Sequence, residues 1–286
     1  MKVLVTGATG YIGSHLVKKL AHGGHSVYAT DFNLDQNDIS RYIVGGEVKE
    51  WDIREGSSHF WGEFDTVVHL AAKTMVSLSV KDPFNYYQTN VIGTQAIADC
   101  TETGHFLYCS TGSAFHPGSS PYATSKRAGE DLVTISENYS IARFYNVCGN
   151  DGFRKFDDSH YHLIRKLAAV VNGLYPEIDI YGTDYPTRDG TTIRNYTHIV
   201  DIVDSIYRII ENGPTKNIEC LGNTEGYSVF DVVRAMERVI GYPIAKNYSP
   251  RRPGEVVISN LPEQSKFFTE TKTIYDICQS ALEYEK

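Results

Sequence analysis

No two of the five cysteines in this chain (Cys100, Cys109, Cys148, Cys220, Cys278) are spaced C-x-x-C. They are scattered, three of them in or near apolar runs, so buried free thiols in a reducing compartment are expected. No apolar run is long enough to cross a bilayer, and Met1-Lys2-Val3 leads straight into the first strand pattern without room for a signal peptide. The expected location is cytoplasmic, with no membrane partner. Positive charge is scarce: 27 Lys and Arg stand against 35 Asp and Glu, a formal net charge of −8. That argues against a general nucleic-acid surface. Internal repeats, low-complexity tracts and flexible linkers are absent, and no metal is implied. What is present is ordinary for a soluble globular protein: 286 residues, 41% hydrophobic and 22% charged, enough for one large domain or two smaller ones. Twenty tyrosines is a high count, but aromatics mostly build core and carry no assignment alone.

The stretch that organises the chain is Val3-Leu4-Val5-Thr6-Gly7-Ala8-Thr9-Gly10-Tyr11-Ile12-Gly13. A short apolar run stops at three glycines spaced three apart. A helical pattern begins at once, carried by Ile12, Leu16, Val17 and Leu20. Strand, glycine turn and helix form the opening of a dinucleotide-binding unit. Gly7 can take a backbone conformation closed to other residues. Gly10 lets main-chain N–H groups approach a pyrophosphate, and Gly13 lets helix and strand pack closely. The free N–H groups at the helix start would face the phosphates. A second strand, Ser26–Thr30, ends in Asp31, eighteen residues after Gly13. An acid there suits the adenosine ribose hydroxyls. Phe32 and Asn33 follow it rather than Arg or Lys, and a carboxylate would repel a 2′-phosphate. The expected cofactor is therefore NAD and not NADP.

Strand and helix patterns alternate through the first half. Strands are predicted at 66–70, 106–109 and 141–145, and helices at 83–100 and 122–135. In the helix at 83–100, Tyr87, Val91, Thr94 and Ile97 are placed on one side. This alternation predicts an α/β fold with a doubly wound parallel sheet of Rossmann type. Ligands of such sheets bind outside the carboxyl ends of the strands. From Asn146 the rhythm breaks, glycine and proline become frequent, and helical pieces at 163–171 and 229–240 are irregularly spaced. The expected organisation is an NAD-binding domain over 1–146, with a returning segment near 194–214, and a smaller C-terminal α/β substrate-binding lobe over 147–286.

Tyr122-Ala123-Thr124-Ser125-Lys126 puts a phenol and an ammonium at i and i+4, neighbours on one helix surface. A phenol titrates near 10, and bringing it to about 7 takes roughly 4 kcal/mol of preference for the phenolate. A nearby ammonium and an oxidised nicotinamide, both positive, would supply it. Tyr122 would then be a general base for a sugar hydroxyl. The spacing alone is not specific, because Tyr242 and Lys246 repeat it. Pro243 argues against mid-helix geometry there, so the second pair reads as chance.

These residues carry a resemblance. The chain resembles the extended short-chain dehydrogenase/reductase superfamily, and within it the UDP-glucose (UDP-galactose) 4-epimerase family, over nearly its whole length. Thr6 to His15 is the superfamily's fingerprint; His69-Leu70-Ala71-Ala72 and Asn90-Val91-Ile92-Gly93-Thr94 are also typical. The discriminating stretches are Tyr181-Gly182-Thr183-Asp184-Tyr185-Pro186-Thr187-Arg188-Asp189-Gly190-Thr191 and Ile193-Arg194-Asn195-Tyr196-Thr197-His198. Pro250-Arg251-Arg252-Pro253-Gly254-Glu255 is similar to the family's uridine-diphosphate clamp.

The resemblance implies roles. Thr111 would bond the sugar's 4-oxygen beside Tyr122, and Lys126 would hold the nicotinamide ribose and lower the Tyr122 pKa. Asp52 and Ile53 would contact the adenine. Tyr11, Ile12, Asn33, Leu70, Ala71, Ala72, Asn90 and Tyr145 would complete the NAD site with Gly7, Gly10, Gly13 and Asp31. Asn146, Arg194 and Arg252 would hold the diphosphate of a UDP-sugar, where guanidinium donors suit phosphate oxygens. Glu255 would take a ribose hydroxyl, Tyr181 would flank the uracil, and His162, Leu163 and Tyr196 would join them. Ser259 would line the wall near the sugar's 2-substituent. A homodimer is also implied.

The chain departs from the family in places. Thr111 and Tyr122 are only eleven positions apart, where a longer loop is usual. Phe115-His116-Pro117 replaces Val-Tyr-Gly, His162 replaces an Asn, Asn195 replaces an Asp, and the chain is a few tens of residues short. Loops tolerate such cuts. The expected activity is NAD-dependent 4-epimerisation of a UDP-hexose through a 4-keto sugar. Two alternatives stand beside it. One is a nucleotide-sugar 4,6-dehydratase or decarboxylase, which would need an acid after the threonine where Gly112-Ser113 stand. The other is a non-catalytic NAD-sensing protein.

Overall fold

The computed structural model describes residues 1–34, 39–56, 61–152, 162–252, 255–259 and 263–284. Pro253 and Gly254 of the Pro250–Glu255 motif lie outside the described residues. Seven strands form the main sheet: β1 (Lys2–Thr6), β2 (Ser26–Asp31), β3 (Val48–Glu50), β4 (Thr66–His69), β5 (Phe106–Thr111), β6 (Tyr139–Phe144) and β7 (Ile218–Leu221). Their order is β7-β6-β5-β4-β1-β2-β3. The pairings β1–β2, β2–β3, β1–β4, β4–β5 and β5–β6 are all parallel. The strand order reverses at β1, with β2 on one side and β4 on the other, which is the switch point where doubly wound sheets bind ligands. Near-continuous apolar strands explain the parallel arrangement: Val3, Leu4, Val5, Val67, Val68 and Leu107 have no solvent exposure.

The helices are α1 (Tyr11–His22), α2 (Val76–Lys81), α3 (Pro83–Tyr87), α4 (Gly93–Cys100), α5 (Pro121–Val133), α6 (Leu163–Val171), α7 (Ile199–Asn212), α8 (Val229–Ile240) and α9 (Ile274–Tyr284). A π-helical turn over Gln88–Ile92 joins α3 to α4. That turn corrects one expectation. Tyr87, placed on the face of Thr94 and Ile97, is 38% exposed, and Tyr86 at 4% takes the inner position. The extra residue per turn of a π segment shifts the helical phase, and no residue type announces it.

By internal contacts the described chain divides into two compact units, Met1–Phe144 with Val203–Glu219, and Tyr145–Ile202 with Cys220–Lys286. The first has a core of Leu4, Val67, Ile97, Phe106, Tyr108 and Ile141. The second packs α6, α8 and α9 around Leu167, Ile180, Val232, Met236 and Ile277. Each fully buried side chain of this size contributes about 1.5–3 kcal/mol. In the second unit, α8 starts with a reciprocal Ser228–Asp231 capping box and stops at Gly241, whose φ is 83°. Tyr242 therefore lies beyond the helix, 52% exposed. Lys246 opens a separate strand, Lys246–Ser249. Tyr242 and Lys246 therefore share no helix, as Pro243 suggests.

Among the described residues all five cysteines are free and buried. No helix there is long and apolar enough to cross a membrane.

Candidate active site

The glycine turn sits between β1 and α1 at the switch point. Gly7 has φ 65°, open to glycine and strained for other residues. A Cβ on Gly7 would meet the Ala71 nitrogen at 2.7 Å, and one on Gly13 would meet the Gly7 carbonyl oxygen at 2.1 Å. Backbone thus passes backbone with no room for a methyl group. Gly10 caps α1 without a side-chain bond, and the first turn carries no acid. The positive dipole end of α1 therefore faces the turn with no acid beside it in its first turn, which suits an anion. These features fit a dinucleotide pyrophosphate.

Asp31 ends β2 and is 7% exposed. Its carboxylate accepts from the Thr9 N–H at 3.1 Å and the Phe32 N–H at 2.8 Å. Burial nevertheless raises its pKa, with these bonds opposing. Thr9 also donates to the Asn33 carbonyl at 2.9 Å, so the acid and its neighbours brace the glycine turn. Tyr11 and Ile12 begin α1, both half-buried, while Asn33 is exposed. Asp52 caps a short turn over Ile53–Glu55 and pairs with Arg54, which holds its pKa below the usual carboxylate range. Ile53 is buried.

After β4 the chain passes through Leu70, Ala71 and Ala72, all half-buried. A line of hydrogen bonds fixes this turn. The Ala71 N–H donates to Thr6 Oγ1 at 3.2 Å, and Thr6 Oγ1 lies 2.7 Å from His69 Nδ1. His69 Nε2 lies 3.0 Å from Thr94 Oγ1, which donates to the Asn90 carbonyl at 2.8 Å. With the Thr94 hydrogen given to Asn90, its oxygen accepts from His69 Nε2–H, and Nδ1 accepts from Thr6. His69 is thereby a neutral Nε2–H tautomer. Burial lowers its pKa to about 3, with the Lys126 charge adding to the effect. The Asn90 amide then clasps Lys73 on both sides, accepting from its N–H at 2.8 Å and donating to its carbonyl at 3.0 Å. It also donates to Ser125 Oγ at 3.0 Å, and Ser125 donates to the Tyr122 carbonyl at 2.9 Å. The line runs from the glycine turn to the helix of the Tyr-Lys pair.

That helix, α5, starts at Ser120, whose hydroxyl accepts from the Ala123 N–H at 3.1 Å, with Pro121 at its first position. Tyr122 and Lys126 are 8% and 3% exposed. They are therefore an interior pair rather than the surface neighbours expected. The Thr111 hydroxyl, at the end of β5, is near enough to the Tyr122 phenol to act against its upward pKa shift. Lys126 Nζ donates to the Cys109 carbonyl at 2.7 Å and lies 4.1 Å from the centre of the Tyr108 ring. In the protein alone, burial pushes the phenol up to about 12, and the Thr111 hydroxyl opposes that. Burial lowers Lys126 to about 8. The ammonium is directed at a carbonyl and a ring face, and desolvation outweighs every other influence on the phenol.

The second unit carries the other named residues. Arg194 and Glu255 form an ion pair at 2.6 Å, and Arg194 also donates to the Ile193 carbonyl at 2.8 Å. The Arg252 guanidinium, exposed, sits 3.8 Å from the centre of the Tyr181 ring. Asn146 donates to the Asn195 carbonyl at 3.1 Å from a short strand paired with Tyr196–His198. Tyr145, at the end of β6, is half-buried. Tyr196 lies in the apolar core and Leu163 packs against it. His162 is exposed at the start of α6. The Ser259 N–H donates to the Ile193 carbonyl at 3.1 Å. Asn195, which stands where the family has an acid, donates to the carbonyls of Asn223, Thr224 and Glu225. A carboxylate there could not donate to those carbonyls. Asp189 of the Tyr181–Thr191 stretch accepts from Thr191 and Ser228, tying that loop to the start of α8.

Sequence reasoning assigned no role to Thr6, His69, Ser125, Glu130 or Arg143. A signal was available: His69 closes an apolar strand, Glu130 continues the Tyr122–Lys126 face, and Arg143 interrupts apolar β6.

Residues 3–220 match the NAD dependent epimerase/dehydratase family. A UDP-glucose 4-epimerase of Halalkalibacterium halodurans is 30% identical over 291 aligned residues, covering 89% of this chain and 85% of the relative. One from Streptomyces lividans is 31% identical over 280, covering 88% and 84%. The crystal structure of a UDP-glucose 4-epimerase from Brucella ovis in complex with NAD superposes with a TM-score of 0.86 at 26% identity, over 99% of this chain and 98% of that one. With its seven-stranded Rossmann-type sheet and that match over residues 3–220, the chain belongs to the NAD-dependent epimerase/dehydratase family of nucleotide-sugar enzymes.

Proposed function

We propose that this protein interconverts the C4 epimers of a UDP-hexose, UDP-galactose and UDP-glucose, with NAD as its cofactor. The observation that carries the reading is the cluster at the end of β5, where the Thr111 hydroxyl adjoins the buried Tyr122 phenol and Lys126 is anchored to Cys109. In this reading the first unit holds NAD through Gly7, Gly10, Gly13, Asp31, Asp52, Ile53 and Asn90. NAD, when bound, supplies the hydride acceptor and donor for C4 and, oxidised, a positive charge. Tyr122 takes the proton from the 4-hydroxyl and returns it to the 4-oxygen. Thr111 bonds the same oxygen and orients it. The phenol rests near 12 in the protein alone, so added positive charge beside it is what makes it an effective base.

The second unit holds UDP. Arg194, Arg252 and Asn146 face the diphosphate, Glu255 the ribose and Tyr181 the uracil. A diphosphate would compete with Glu255 for the Arg194 guanidinium, and charge-assisted donors suit both partners. A dehydratase or decarboxylase needs an acid following the threonine. Gly112 and Ser113 stand there, and the Ser113 N–H is bonded to Thr111 Oγ1 at 3.2 Å.

Ser259 is small, which leaves room for an N-acetyl group on C2; overfilling a packed pocket would cost about 1–3 kcal/mol. The test incubates the protein with UDP-galactose, UDP-glucose and their N-acetyl forms and identifies the products. We expect both pairs to interconvert, and Ser259→Tyr to lower kcat/KM for the N-acetyl pair selectively. A product that has lost water or carbon dioxide would replace this reading with the lyase one.

A further inference from the structure

The shortened connection between Thr111 and Tyr122 is built from two consecutive 3-10 turns, Gly112–Phe115 and Pro117–Ser119. Thr111 caps the first, and Thr124 of α5 bonds back to the Pro117 and Ser120 carbonyls. Beneath it lies a buried ion pair. Arg143 and Glu130 are 1% and 2% exposed, with Arg143 Nε on Glu130 Oε1 at 2.7 Å and Nη2 on Oε2 at 2.5 Å. Ser110 donates to the same Glu130 Oε1 at 2.5 Å. Ser110 is also the cross-strand partner of Arg143, and Thr111 is the next residue. One carboxylate on the helix of Tyr122 thus grips the strand end that presents Thr111. On another side of the pair, the centre of the Phe115 ring lies 4.0 Å from the Arg143 guanidinium carbon, while Phe115 itself is 41% exposed.

The geometry points to Phe115 as a positioning residue: its ring covers the Arg143–Glu130 pair, keeps water from it, and so fixes Ser110 and Thr111 against the helix of Tyr122. A planar guanidinium stacks on an aromatic face, and an ion pair is stronger the less water reaches it. Remove the ring, and water competes for both the guanidinium and the carboxylate that Ser110 needs. The consequence for turnover rests on the reading of Thr111 and Tyr122 given above; the consequence for the strand end does not.

The test compares the wild-type chain with Phe115→Ala and with Phe115→Tyr, which keeps the ring. Phe115→Leu serves the same comparison if the alanine variant does not fold. Amide hydrogen exchange at Ser110 and Thr111 is expected to speed up at least tenfold in the alanine variant, with Val3 to Val5 unchanged and the tyrosine variant like wild type. In turnover of UDP-galactose, kcat should fall at least tenfold with KM within twofold, and the same substitution in a Ser110→Ala background should cost less than a further twofold. Unchanged exchange, or tyrosine behaving like alanine, overturns the inference. Fully multiplicative losses of kcat in the Ser110→Ala background do so as well. If no UDP-hexose is turned over by wild type, the proposed function fails while the exchange comparison still decides this one.

Discussion

The ammonium of Lys126 donates to the main-chain carbonyl of Cys109 at 2.7 Å, two residues before Thr111. The lysine therefore ties helix α5 to the end of β5, and its charge is buried at the junction. Burial lowers its pKa from 10.5 to about 8. The unfolded chain binds the proton more tightly, so the fold gains stability as pH rises from about 8 toward 10.5. Below pH 8 the penalty is present in full, on the order of 3 kcal/mol.

Lys126→Met should accordingly lose most activity and yet be no less stable than wild type at pH 7. The lost hydrogen bond costs only about 1 kcal/mol against that relief. Urea melts at pH 7 and pH 10 check this: the variant's advantage should shrink at the higher pH. A variant markedly less stable at pH 7 would contradict it.

His69 predicts the opposite limb. Its pKa is about 3 when folded, against 6.5 ordinarily. The unfolded chain takes up the proton first, so stability present above pH 6.5 is lost as pH falls toward 3. The loss amounts to roughly 3 kcal/mol between pH 7 and pH 4.5. His69→Gln, though less stable at pH 7, should show a shallower fall over that range by chemical denaturation. An unchanged pH slope would rule out a neutral buried imidazole.

Gly13→Ala should abolish NAD retention. The new methyl would sit 2.1 Å from the Gly7 carbonyl oxygen, and helix and turn would have to separate. Overpacking of this kind costs about 1–3 kcal/mol in stability. The measurement is nucleotide released on denaturing the purified variant, compared with wild type; equal amounts would show that the close approach is dispensable.

Tyr122→Phe should lower kcat by about 10²–10⁴-fold, the usual contribution of a general acid–base group, while UDP still binds. Tyr242→Phe, beyond the end of α8 and exposed, should change kcat less than twofold. Assays of both variants on UDP-galactose decide it, and wild-type rates from both would remove Tyr122 from the chemistry.

Residues close together in the chain were legible in advance. The glycine turn, the acid ending β2 and the Tyr122–Lys126 spacing each express a local rule of strand, turn or helix. The Thr6–His69–Thr94–Asn90 line was not legible, because its members meet only through the strand order β2-β1-β4-β5. Thr6 and His69 are 63 positions apart, and Arg194 and Glu255 are 61 apart. Tyr87 was misplaced by a π turn that leaves no mark in the residue types. The burial of the Tyr122–Lys126 pair was not legible either, because spacing shows a neighbour's charge but not the depth at which the pair sits.

The central claim is that hydride leaves C4 and returns to C4 of the same sugar while Tyr122 handles the proton. It is tested most directly with UDP-galactose carrying deuterium at C4, incubated with the purified protein and followed to equilibrium. The account predicts UDP-glucose with the deuterium retained at C4. Deuterium washed out to solvent, or found at C6 of a product that has lost water, would contradict it.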